Sequence, residues 1–152
     1  MEKPQSKFSI MTKKFLGVIL CLVLSVGGMS ASENQNNHDD WDLFIEAIIQ
    51  VESSGNAKAR RGNCVGAMQM MPVCVKAVNS LCKKNNNGKK FTLNDRYSIE
   101  KSKEMFNILQ DEYNPTHDFR KACNLWNGGS VKSNCGAYYR RVMKVYNRLK
   151  DK

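Results

Sequence analysis

Apolar residues fall along the chain in five blocks with helical spacing, separated by stretches rich in Asn, Gly, Lys and Ser. The first block runs from about Trp41 to Ser53; Asp39 or Asp40 can cap its start and Ser54-Gly55 ends it. At about 100° per residue, Trp41, Ile45, Ile48 and Glu52 share one stripe, while Asp42, Glu46, Gln50 and Ser53 share another. Residues 56–65 read as a loop and residues 66–71 as a compact Met-rich segment. Pro72 fits the first turn of a second helix that continues to about Leu81. A third helix covers residues 98–113, with Ile99, Met105, Phe106 and Leu109 on its apolar side, and Asn114-Pro115 breaks it. A fourth covers residues 117–126 and stops at Asn127-Gly128-Gly129. The last spans about Gly136 to Lys150, with Tyr138, Val142, Val145, Tyr146 and Leu149 on one side. The expected class is α+β, predominantly α-helical, with at most a small β-hairpin after Gly55 or after Leu81.

The start of the chain follows a different rule. Lys13 and Lys14 precede the apolar run 15–26, and small residues follow at Gly27, Gly28, Ser30, Ala31 and Ser32, the order of a secretory signal. That run is about a dozen residues, short of the ~20 that span a bilayer. Residues 1–30 are therefore expected to be a signal peptide, residues 31–40 a flexible leader, and residues 41–150 a single domain that keeps no membrane anchor once the signal is removed. A 152-residue chain has room for one such core. The expected location is the periplasm or cell envelope, or the medium beyond it.

Charge and cysteines narrow the partners. The formal net charge is +10, and loss of residues 1–30, with four lysines and one glutamate, lowers it to +7. A basic exported domain suits an anionic polymer. Nucleic acid is not an expected partner, because the cations are scattered and export removes the protein from it. Five of the six cysteines lie beyond the signal, at Cys64, Cys74, Cys82, Cys123 and Cys135. With no C-x-x-C pair and only His38 and His117, no metal and no cofactor are expected. In an oxidising compartment two disulfides are expected with one thiol left over, Cys123–Cys135 being the favoured pair because it closes a short loop.

Glu52 is the anomaly of the first helix, a carboxylate ending a stripe that is otherwise apolar. Periodicity alone leaves open a terminal-turn glutamate that merely reaches solvent. If it lines a cleft, burial raises its pKa and keeps the acid protonated near neutral pH, as a general acid requires. Three further segments offer partners: Gly66-Ala67-Met68-Gln69-Met70-Met71-Pro72, with one polar side chain among soft apolar ones; Trp126-Asn127-Gly128-Gly129, an aromatic plate and an amide at a helix end; and Tyr138-Tyr139, whose hydroxyls could reach a carboxyl. Core filling and a helix stop are the ordinary uses of such residues.

Together these segments resemble the lysozyme-like domain of soluble lytic transglycosylases over residues 41–146, nearly the whole expected mature chain. Glu52-Ser53 is similar to the family's Glu-Ser motif, residues 66–72 to its Gly-Leu-Met-Gln-x-Met-Pro motif, residues 126–129 to Tyr-Asn-Ala-Gly, and residues 138–143 to the closing Tyr-Val motif. The resemblance implies a goose-type, lysozyme-like fold and cleavage of the β-1,4 bond between N-acetylmuramic acid and N-acetylglucosamine in peptidoglycan. It makes Glu52 the catalytic acid and then base, with Tyr138 orienting it. Ser53, Gln69, Met70, Trp126 and Asn127 would hold the glycan strand. Trp126 departs from the usual Tyr, and Gly128 stands for Ala and should loosen the turn. Ser98 and Ser102 stand where Asn and Gly are common, and a slip of one residue would make Tyr139 the orienting group. The resemblance extends to specialised enzymes that open the wall for conjugation or secretion machines, an analogy only. Two alternatives share the scaffold: a goose-type lysozyme that hydrolyses the same bond, and a non-catalytic wall-binding assembly factor.

Overall fold

A computed structural model describes residues 31–152; the expected signal peptide lies outside the described residues. The chain folds as α1 (Ala31–Ser53), a two-stranded antiparallel hairpin of β1 (Arg60–Arg61) and β2 (Cys64–Val65), α2 (Pro72–Lys84), a 3-10 helix (Leu93–Tyr97), α3 (Ile99–Tyr113), α4 (Phe119–Gly128) and α5 (Gly136–Lys150). The expected α+β, predominantly helical fold is therefore what forms, and the hairpin is the one after Gly55. No helix among the described residues is long and apolar enough to cross a membrane.

The apolar stripe of α1 is wider than the four positions that predicted it. Trp41, Phe44, Ile45, Ala47, Ile48 and Ile49 are all buried, and α1 packs most extensively along α5. Each large apolar side chain so buried contributes roughly 1.5–3 kcal/mol. Tyr138, Val142 and Tyr146 supply the α5 face of this cluster, while Ala122 and Cys123 come from α4. A second cluster joins Val75, Val78, Leu81 and Cys82 of α2 to Met105 and Leu109 of α3, with Met70 and Phe91 closing it. Trp126 packs against both clusters, its ring edge-on to Phe106 at 5.0 Å.

Several boundaries differ from the expected ones. α1 begins at Ala31 rather than near Trp41, because a helix once nucleated extends through polar residues at one backbone hydrogen bond each, without an apolar stripe. Asp40 is therefore inside the helix, and its carboxylate accepts hydrogen bonds from the Tyr146 hydroxyl at 2.9 Å and Lys150 Nζ at 2.8 Å. Ser98 and Asp118 are the true N-caps of α3 and α4, accepting from the amides of Lys101 and Lys121.

The five cysteines all stand as free thiols, against the two bridges expected. Counting cysteines by compartment ignored where each side chain packs. Cys82 fills the second cluster and Cys123 the first, and burial, with the neighbouring Cys135 thiol, pushes the Cys123 thiol up to about 12. Buried cysteines of this kind act as small apolar side chains.

Candidate active site

α1 ends where Ser54 and Gly55 turn left-handed, at φ +56° and +80°. That turn leaves Glu52 half-buried in the helix's last turn, between two hollows. One, of about 230 Å³, is lined by Arg61, Cys64, Gln69, Met70, Trp126 and Asn127 among others. The other is more polar, with Ser53, Ser54, Arg60, Arg61 and Gln69 in its wall. Glu52 belongs to both walls and, among the described residues, is the only carboxylate in either.

Tyr138, in the first turn of α5, donates its hydroxyl to Glu52 Oε1 at 2.7 Å across 86 residues of sequence. Tyr139 instead holds its ring against the Arg120 guanidinium at 4.2 Å. Burial pushes the Glu52 carboxyl above its ordinary value of 4.5; the Tyr138 hydroxyl, the Arg61 and Arg141 guanidiniums and the Trp126 indole pull the other way without cancelling it. Tyr138 is raised strongly as well, first by burial and then by the Glu52 charge, so its hydroxyl remains a donor at every working pH.

The Met-rich segment is a folded turn rather than a loose one. Gly66 donates to the Ala59 carbonyl, and its own carbonyl accepts both the backbone amide of Gln69 at 3.1 Å and its side-chain Nε2 at 3.0 Å. Gln69 sits at φ +48°, a conformation costly for a residue with a Cβ, held here by its two hydrogen bonds to the Gly66 carbonyl. Met68 and Met70 anchor it in the core, and Val65 and Met70 exchange backbone hydrogen bonds. Ser53 Oγ donates to the Ala67 carbonyl at 2.7 Å, which ties the end of α1 to this turn. Arg96 closes it from behind, its Nη1 donating to the carbonyls of Met70 and Asn63, both at 3.1 Å.

Every site residue expected from sequence thus borders the cleft or braces it. Glu52, Gln69, Met70, Trp126 and Asn127 line the 230 Å³ hollow, Ser53 lines the polar one, and Tyr138 reaches Glu52 from behind. Gly128 corrects an expectation. It lies in the last turn of α4, and a Cβ there would stand 2.5 Å from the Ser133 side chain and 2.8 Å from Cys135 Sγ. The glycine thus allows a close packing that alanine would obstruct, and does not loosen the turn. Ser102 is buried and donates to the Arg96 carbonyl at 3.1 Å, so its hydroxyl is satisfied.

Sequence reasoning missed the Arg60-Arg61 pair, Arg96, Cys64 and Cys74. The only signal for Arg61 was a basic pair five residues before Gly66, which was counted as charge rather than placed. Arg96 carried none, since its carbonyl partners are set by tertiary packing. The family model described as Transglycosylase SLT domain matches residues 29–142. No curated protein and no solved structure matches the chain.

Proposed function

The chain belongs to the transglycosylase SLT-domain family, lytic transglycosylases that act on peptidoglycan, and from that premise we propose that Glu52 alone performs the acid and base steps of the cleavage. The observation that carries this reading is the single carboxylate in the cleft walls. Glycosidases that use two place them about 5–5.5 Å apart when retaining and about 6.5–9.5 Å apart when inverting. With one, the substrate can supply the nucleophile.

Oε1 accepts the Tyr138 hydroxyl, so the acid proton is carried on Oε2 and passes to the glycosidic oxygen as the bond from muramic C1 breaks. The muramic 2-acetamido group stabilises the positive charge that develops at C1. Glu52, now anionic, takes the proton of the muramic C6 hydroxyl as that oxygen closes on C1. The products are a 1,6-anhydromuramyl end and a free N-acetylglucosamine 4-hydroxyl, with no water consumed. The raised pKa favours the first step, while Tyr138, Arg61 and Arg141 steady the anion for the second. Gln69, Met70, Trp126 and Asn127 hold the sugars. The expected setting is the cell envelope after export.

Digestion of purified peptidoglycan, with mass analysis of the fragments, tests this reading. Every new muramyl end is expected to be lighter by one water than its hydrated counterpart. Hydrated ends would make the protein a lysozyme-type hydrolase, and intact strands a wall-binding factor.

Tyr138→Phe removes the hydrogen bond to the charged form of Glu52, so the carboxyl shifts still higher and loses its orientation. The expected result is a kcat about 10- to 100-fold lower, with the alkaline limb of the pH profile, where the acid loses its proton, moved upward. A profile unmoved in position would mean that Tyr138 only packs.

A further inference from the structure

The hairpin beside Glu52 carries two guanidiniums, and the acid–base chemistry draws on them only through the charge of Arg61. Arg60 and Arg61 are both exposed, and neither makes an ion pair or a side-chain hydrogen bond among the described residues. Both line the polar hollow, with Ser53, Ser54 and Gln69, and Arg61 reaches into the second hollow as well. Among the described residues the only carboxylate of these walls is Glu52, and no ion pair joins it to either arginine. Other exposed cations of this chain do pair: Lys84, Lys89, Lys101 and Lys150 each meet a carboxylate within 3.1 Å.

The strand that carries them is built to hold them in place. β1 pairs with β2 through Arg60 opposite Val65 and Arg61 opposite Cys64. Val65 in turn exchanges hydrogen bonds with Met70, so the hairpin is an extension of the Gln69 turn and not a free loop. Two guanidinium forks on a braced strand next to the scissile-bond acid suit a carboxylate, which they can meet through paired N–H donors.

We propose that Arg60 and Arg61 form a carboxylate-binding subsite that reads the 3-O-lactyl side of the muramic acid. This rests on the transglycosylase reading. The muramic sugar is the one unit of the strand that carries carboxylates. They come either from the stem peptide or, on a strand stripped of its stems, from the lactyl group itself. The site therefore distinguishes muramic acid from N-acetylglucosamine by charge, and sets which sugar lies on which side of Glu52.

The test measures binding in the Glu52→Gln background, where strands stay whole. Three ligands are compared: stem-bearing glycan strands, strands stripped of stems by an amidase, and N-acetylglucosamine oligomers, which have no carboxylate. Adding Arg60→Gln and Arg61→Gln is expected to weaken binding to carboxylate-bearing strands about tenfold or more, and to the neutral oligomers less than about twofold. Loss confined to stem-bearing strands assigns the stem carboxylates, and loss confined to stripped strands the lactyl group; either supports the subsite. Equal loss on all three ligands, or none on any, overturns it. Arg61→Lys, which keeps the charge but not the fork, is expected to recover only part of the binding, and it serves if the double variant folds poorly. If wild-type protein yields no anhydro ends while this binding difference persists, the catalytic reading fails and the subsite stands.

Discussion

Glu52→Gln is expected to lower strand cleavage by about a thousandfold or more while raising the melting temperature at neutral pH. The loss follows from removing the only carboxylate that the described residues place in the cleft walls. A glutamine amide cannot protonate the glycosidic oxygen, and among the described residues no other carboxylate lines these walls. The gain in stability follows from the same burial. The folded carboxyl titrates above its ordinary value of 4.5, chiefly through desolvation. A folded-state pKa that is raised means that the folded state holds its proton more tightly than the unfolded chain does. Stability therefore falls as pH rises from about 4.5 through the raised value, and above that the full cost of burying the charge is paid. Glutamine keeps the shape and an oxygen to accept the Tyr138 hydroxyl but carries no charge. The melting-temperature difference between variant and wild type should accordingly be near zero at pH 4, and reach a few degrees at pH 7. Calorimetric scans across that range check it. A variant that is equally or less stable at pH 7 would mean that Glu52 is solvated rather than buried, and the acid step would lose its physical basis.

What the sequence revealed about this site depended on how local each cause is. The stripe Trp41, Ile45, Ile48 ending in Glu52 was readable because helical periodicity is a short-range property, and all three apolar members are buried. The stop at Gly129, which sits at φ +76°, is equally local. The Tyr138–Glu52 contact spans 86 residues, and spacing puts Tyr138 on the apolar side of α5 without bringing it to Glu52. Only the rotation of α5 against α1 does so, and the resemblance carried that pairing in advance of the geometry. The first ten residues of α1 were missed because a polar helix leaves no apolar trace. The cysteines were misjudged because compartment and parity say nothing of packing, and two of the five are buried in separate core clusters. The Arg60-Arg61 pair illustrates a different limit. As composition it was part of a diffuse positive charge, and it became a candidate site only when the hairpin set it beside Glu52.

The second large effect concerns backbone rather than chemistry. Gly66→Ala is expected to destabilise the protein by about 3–5 kcal/mol and to abolish activity with it. Gly66 sits at φ +78°, and a Cβ built there would lie 1.8 Å from the Arg96 carbonyl oxygen and 2.8 Å from its carbonyl carbon. Neither atom is the end of a flexible side chain. That carbonyl accepts from Ser102 Oγ, and the Arg96 guanidinium is bonded to the carbonyls of Asn63 and Met70. Relief of the clash must therefore shift the 3-10 helix and the Gln69 turn apart, breaking the contacts that hold both. Gly62 supplies the comparison. It too has a positive φ, +60°, but a Cβ there meets nothing within 4 Å. Gly62→Ala carries only the left-handed backbone cost of roughly 1–2 kcal/mol. Thermal melts of the two variants side by side separate close approach from conformational preference. If the two lose equal stability, the packing of the 3-10 helix against Gly66 is looser than its geometry requires. A Gly66→Ala protein that folds at low temperature should still cleave poorly, because Gln69 can keep its place at the cleft only while the Gly66 carbonyl holds its amide.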